Sequence, residues 1–337
     1  MAGLRAAVAV VPAPEVSVAM TASIGVARSD PGVGRPGTAQ PSPGRLLRRA
    51  EQARTAAKRR GLNQTRWFDS GEEAAMVRRS RRDLELEEAW EQRRFRLWFQ
   101  PQVCAASGRL TGFEALLRWQ HPTRGLLAPA AFIDDLESSS LARPVGWWVL
   151  SEALTQLEAW QAAGWELTVS VNLGAQLVND AQLAAGVAKA LARHPQLPPG
   201  RLELELLETA TIADVAGVAA QVAQLQAGGV RVALDDFGVG GSSLALLHRL
   251  GVDTVKVDRS FVLRLPDDPD LEAMVRTIVA LAQRFGADVV ADSRQAPVGS
   301  SVRRHSWLAV HGEGCFEPSG CDGVRPSRSR STVGRHR

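Results

Sequence analysis

Seven positions in this chain carry side chains suited to acidic, cation-assisted chemistry: Glu114, Asn172, Glu205, the adjacent pair Asp235 and Asp236, Lys256, and Asp292. Carboxylate and amide oxygens from separate segments can build a part-octahedral cage for a hard divalent cation such as Mg²⁺ or Mn²⁺, leaving positions for water and phosphate. Clustered carboxylates repel one another unless a cation offsets them, so charge alone points to an ion. Asp235 with Asp236 can hold one ion and touch a second, and two ions about 4 Å apart would activate a water for in-line attack on a phosphodiester. Lys256 would orient that water or stabilise charge developing on phosphoryl oxygens. The chain otherwise uses arginine, with only Lys58 and Lys189 besides, so a lysine inside a strand suggests a need for a compact ammonium. Any one of these residues is more simply a helix cap or a solvated loop residue. Their recurrence at successive strand ends favours the chemical reading.

The elements that must position them alternate. Strand-like segments are Arg96–Val103, Leu110–Leu117, Leu167–Asn172, Arg201–Leu206, Val230–Asp235, Thr254–Val257 and Asp288–Ala291. Between most of them lie helical apolar periods, such as Leu150, Leu154, Leu157 and Trp160, or Leu271, Val275, Ile278 and Leu281. Strand followed by helix in series predicts a parallel sheet with helical crossovers. No Gly-x-Gly-x-x-Gly turn follows a strand, which favours a closed (β/α)₈ barrel, where strand C-termini converge on one mouth.

The N-terminal part differs. Val16 to Ala27 has β character, Gly32 to Gly44 is rich in Pro and Gly, and an apolar and small-residue period then runs to Gly61. Residues 72–94 are rich in Glu and Arg and read as a charged connecting helix. The expected organisation is a small α/β piece over 1–70, a connecting helix over 71–94, a barrel over 95–292, and a tail over 293–337. That tail lacks any sustained period and reads as disordered or out of frame.

Composition narrows the function. The chain has 337 residues, 45% of them apolar, and a formal charge of +4 carried mostly by arginines crowded into two stretches. Such clusters are more often solvated than bound to phosphate, so nucleic acid is not the expected partner. Cys104, Cys315 and Cys321 form neither a disulfide framework nor a zinc pattern. No apolar stretch approaches the ~20 residues needed to span a bilayer. Cytoplasmic location is the expectation.

The run Phe113-Glu114-Ala115-Leu116-Leu117-Arg118-Trp119, with His121-Pro122 and Gly125, resembles the signature of the EAL domain family of cyclic di-GMP phosphodiesterases. Phe99-Gln100-Pro101, Val171-Asn172-Leu173, Glu205-Leu206-Leu207-Glu208-Thr209, Asp235-Asp236-Phe237-Gly238 and Lys256-Val257-Asp258 are similar to further family motifs, in family order over about two hundred residues. The resemblance implies a modified TIM barrel whose first strand is antiparallel. It also implies that Glu114, Asn172, Glu205 and Asp235 hold one metal and Asp236 a second, and that Lys256 contacts the catalytic water. Glu208 would brace the loop after Asp235 and Asp236, while Gln100 and Arg118 would hold the dinucleotide. The implied partners are cyclic di-GMP, cleaved once to the linear dinucleotide, and a second copy in a homodimer through the barrel. Thr21 to Ala27 and Arg49 to Asn63 resemble the last third of a GGDEF domain, the diguanylate cyclase module, without its GTP-binding motif, so no cyclase activity is expected.

The chain departs from that pattern. Val239 and Gly241 stand where the family has Thr and Tyr, Asp292 stands for a Glu, and the eighth strand is not recognisable after it. A barrel incomplete at its C-terminal end, with two open edges and impaired activity, is therefore expected. Two other functions stay open: a non-catalytic module that binds cyclic di-GMP or a protein, and a broken gene copy. Residue types alone would also admit an enolase-like metal-dependent barrel.

Overall fold

The computed structural model describes residues 10–13, 16–19, 21–28, 42–59, 61, 63–104, 107–208, 214–238, 243–262, 268–291 and 309–311. Asp292, Val239 and Gly241 lie outside them, as does the expected tail apart from 309–311. The chain divides into two compact units, residues 1–82 and 83–337.

In the first unit β1 (Val10–Ala13) pairs antiparallel with β2 (Val16–Ala19), and β3 (Ile24–Val26) pairs parallel with β4 (Thr65–Trp67). Helix α1 (Pro43–Arg59) lies against β3 at Gly25, where a Cβ would fall 1.9 Å from the carbonyl oxygen of Ala50, so no larger residue fits. Helix α2 (Ser70–Glu91) follows, as the Glu- and Arg-rich composition predicts, and the division between units falls within it.

The second unit is a ring of strands. In chain order these are β5 (Phe95–Cys104), β6 (Leu110–His121) with its short hairpin partner β7 (Gly125–Leu127), β8 (Thr168–Leu173), β9 (Leu202–Leu207), β10 (Arg231–Phe237), β11 (Thr254–Val257), β12 (Asp288–Ala291) and β13 (Ala309–His311). From β6 through β8 to β13 each neighbouring pair is parallel, while β5 runs antiparallel to both β6 and β13. Helices cover the outside: α3 (Ile133–Glu137) and α4 (Ala142–Ala162) before β8, α5 (Ala175–Val178) and α6 (Leu183–Leu191) before β9, and α7 (Val215–Ala227) before β10. Then come α8 (Ser243–Leu250) before β11, and α9 (Arg259–Val262) with α10 (Pro269–Arg284) before β12. This is the expected barrel-like α/β architecture with an antiparallel first strand.

One expectation changes. Instead of seven strands with two open edges, β13 supplies an eighth, pairing with β12 at Val290 and Ala291 and with β5 over Gln102 to Cys104. Its three residues are too few for a period-2 pattern to register, which is why the sequence conceals it. The physical demand is nonetheless strong, because a ring leaves no unpaired strand edge between β12 and β5.

Strand period 2 sorts the side chains. On β6, Phe113, Ala115 and Trp119 face the helices; Phe113 packs tilted against Trp160 of α4 and Phe99 of β5 meets the same ring edge-on, with ring centroids 4.5 and 4.9 Å apart. Gly112, Glu114, Leu116 and Arg118 point to the other face. Gly112 sits opposite Thr168, where a Cβ would lie 2.2 Å from the hydroxyl and 2.6 Å from the carbonyl oxygen. Gly112→Ala is therefore expected to destabilise the barrel by about 1–3 kcal/mol through overpacking. A urea-unfolding midpoint equal to that of the wild type would show that the β6–β8 seam yields at no cost.

Candidate active site

Inward side chains at one level of the barrel, near the C-terminal ends of β8 to β11, form one polar layer. Gln100 of β5 stands directly across from Glu114 of β6, and Asn172 of β8 pairs in register with Glu205 of β9. Asp235 comes from β10 and Lys256 from β11. The Asn172 amide donates to Glu114 Oε1 at 2.7 Å. Lys256 Nζ donates to Glu205 Oε2 at 2.7 Å and lies 3.4 Å from Glu114 Oε2 and 3.6 Å from Asp235 Oδ1. Five of the residues singled out from the sequence thus converge, and Lys256 is their centre.

Burial makes the charges matter. Glu114 and Glu205 are 0% exposed and Lys256 is 1% exposed, so their attraction is little screened by water. Burial pushes the Glu205 carboxyl well above the usual range, Lys256 pulls it back, and Glu114 and Asp235 add to the rise. Burial acts to lower the Lys256 ammonium, but Glu114, Glu205 and Asp235 outweigh it and hold the group well above its ordinary pKa. Three carboxylates face one ammonium, so full ionisation leaves an excess of negative charge.

Asp236 is placed by a bulge. The β10–β11 register shifts between Leu234 and Phe237, and Asp236 adopts φ +54°, the left-handed region. That turn sends Asp235 into the layer and leaves Asp236 exposed, with its N–H donating to Asp235 Oδ1 at 3.0 Å. Glu208 is buried just past β9, and the loop it was expected to brace lies outside the described residues. Arg118 shares a face with Glu114 but lies farther along β6, with its guanidinium over Trp98 and donating to the Leu117 carbonyl at 2.9 Å.

A cavity of about 420 Å³ opens beside this layer. Glu114, Asn172, Asp235 and Asp236 line one side, and Ile133 and Val149 are among the apolar residues of the other. Its size suits a small-molecule ligand.

The donor set fits a hard divalent cation. All candidate ligands are oxygens, the layer is over-supplied with negative charge, and the buried Glu205 Oε1 accepts no hydrogen bond. The side chains as they stand draw in on the lysine: among the described residues no three acidic, His or Cys groups are spaced to hold an ion.

Sequence reasoning missed the residues beneath. Gln102, Ser170, Glu203 and Thr254 each lie two positions from a member of the upper layer on the same strand, the spacing that shares a strand face. Period 2 applied to Glu205 and Lys256 would have found Glu203 and Thr254.

An acidic, lysine-centred layer inside a barrel with one reversed strand is the arrangement on which the comparison with known proteins bears. Residues 83–293 match the EAL domain family, and the chain belongs to it. The chain is 37% identical over 276 residues to the bifunctional diguanylate cyclase/cyclic di-GMP phosphodiesterase MucR of Pseudomonas aeruginosa, covering 82% of this chain and 39% of that protein. It is 36% identical over 284 residues to an uncharacterized protein of Mycobacterium tuberculosis, covering 84% of this chain and 44% of that one. It therefore spans less than half the length of these relatives. A solved structure of the PaMucR phosphodiesterase in complex with c-di-GMP superposes with a TM-score of 0.64 at 36% identity, over 69% of this chain and 94% of that one. Among the described residues no helix is long and apolar enough to cross a membrane.

Proposed function

We propose that this chain is a cyclic di-GMP phosphodiesterase that hydrolyses one phosphodiester bond to give the linear dinucleotide. The observation that carries the reading is the buried Lys256 ammonium among Glu114, Glu205 and Asp235, beside the cavity at the barrel mouth. Phosphoryl transfer needs positioned charge more than covalent participation, and a water-poor site of fixed charges supplies it.

Glu114, Asn172, Glu205 and Asp235 would hold one Mg²⁺ or Mn²⁺, with Asp236 at a second, and the ions would supply positive charge at the phosphoryl oxygens and a lowered pKa for the attacking water. Lys256 orients that water by donating a hydrogen bond. The water oxygen forms the new bond to phosphorus, the sugar oxygen departs and takes up a proton, and the ring opens. Gln100 and Arg118 hold the dinucleotide, and Glu208 braces the loop that follows Asp235 and Asp236. The strand pair β3–β4 with α1 supports reading residues 1–70 as similar to part of a GGDEF domain.

The test is turnover of cyclic di-GMP by the purified full chain. Linear dinucleotide is expected with Mg²⁺ or Mn²⁺ and none after EDTA treatment; no product from folded protein with either ion would overturn the reading. A second reading, a module that binds cyclic di-GMP without cleaving it, is favoured by the way the acids close on Lys256 rather than on a shared point. Calorimetric binding without product would select it.

A further inference from the structure

We propose that Glu203 and Thr254 are positioning residues for the acidic mouth, holding Glu205 and Lys256 in place from one layer below. The kinetic part of this inference rests on the phosphodiesterase reading.

Two bonds of the same form cross the barrel wall one above the other. In the upper layer Lys256 Nζ of β11 donates to Glu205 of β9 at 2.7 Å; in the lower, the Thr254 hydroxyl of β11 donates to Glu203 Oε2 of β9, also at 2.7 Å. Strand β10 lies between β9 and β11, so neither contact is a neighbouring-strand pair. Each reaches over β10, where the small Ala233 stands in register with both Glu205 and Thr254. Glu203 is 8% exposed and Thr254 2% exposed. Ser170 of β8 donates to Glu203 Oε1 at 3.0 Å, and Gln102 of β5 donates to the Ser170 hydroxyl at 3.3 Å. Arg231 of β10 closes the layer, with Nε 3.4 Å from Glu203 Oε2 and Nη2 3.1 Å from the Thr254 hydroxyl.

A buried carboxylate satisfied by donors from three other strands is an expensive way to fill a barrel interior, where an aliphatic side chain would suffice. What it adds is direction. Hydrogen bonds fix the distance between β9 and β11 in a way that apolar packing does not, and the next inward residue on each strand is the very pair whose separation sets the mouth. A partner behind a ligand orients that ligand, and its loss commonly weakens metal binding by about tenfold or more.

The experiment compares the full-length wild type with Thr254→Val, which keeps the shape and loses the donor, and Thr254→Ser, which keeps the donor. Four quantities are read: kcat and KM for cyclic di-GMP, Mn²⁺ affinity by calorimetry in the absence of nucleotide, and the thermal midpoint. Thr254→Val is expected to lower kcat about tenfold with KM within about twofold, and to weaken Mn²⁺ about tenfold. Its thermal midpoint should stay within about 4 °C of the wild type. Thr254→Ser should restore both kcat and affinity. Equal kcat in all three proteins, or an equal loss in both variants, overturns the proposal. If the wild type turns nothing over, the phosphodiesterase reading fails separately and Mn²⁺ decides: weaker binding in Thr254→Val alone supports positioning, and equal behaviour of the three proteins overturns it.

Discussion

Lys256→Met is expected to lower cyclic di-GMP turnover by about 100- to 1,000-fold and to destabilise the metal-free protein by about 3–5 kcal/mol. Both effects follow from the same geometry. Methionine keeps much of the stem's volume but removes the charge that sits 2.7 Å from Glu205, 3.4 Å from Glu114 and 3.6 Å from Asp235. Three buried carboxylates are then left without a cation, and breaking a buried pair costs far more than the pair was worth. The stability loss is expected in EDTA and should shrink when Mg²⁺ is added, because ions then offset the same charges. Urea denaturation in the two conditions checks it. An unchanged midpoint in EDTA would mean that the lysine is not what neutralises the layer.

Glu205→Gln is the informative counterpart. It removes one expected metal ligand, so turnover should fall by at least about 100-fold, yet it should not weaken the metal-free fold at neutral pH. Burial raises the Glu205 pKa in the folded state above its unfolded value of about 4.3. A group raised in this way contributes stability that is present below about pH 4.3 and lost as pH climbs through the folded value. The wild type in EDTA should therefore lose stability as pH rises above about 4.3 by more than Glu205→Gln does, since the amide has nothing to ionise. Parallel profiles for the two proteins would place the strain elsewhere.

Much of this architecture is legible in the residues. The seven strands expected from alternation and turn spacing all form, with Thr254–Val257 and Asp288–Ala291 bounded as expected. Glu114, Asn172, Glu205, Asp235 and Lys256 do meet, because each stands on the inward face of its strand at a matching level of the barrel. What stayed hidden has physical causes. Strand β13 is only three residues long, and β5 and β12 on either side of it, not its own pattern, define where it runs. Arg118, expected to hold the dinucleotide, has its guanidinium over the Trp98 ring and donates to the Leu117 carbonyl. Glu203 and Thr254 look like ordinary polar strand residues until the barrel brings β9 and β11 to opposite sides of β10. Period 2 places both residues on the inward face, but their meeting depends on the strand order β9–β10–β11, which a linear pattern does not record.

The most direct test of the central claim is product formation from cyclic di-GMP by the wild-type chain with Mg²⁺ or Mn²⁺, run beside Glu114→Ala. Linear dinucleotide from the wild type and none from the variant is the result expected of a site organised around Glu114, Glu205, Asp235 and Lys256. Absence of product from folded wild-type protein, or an equal rate from Glu114→Ala, would contradict it.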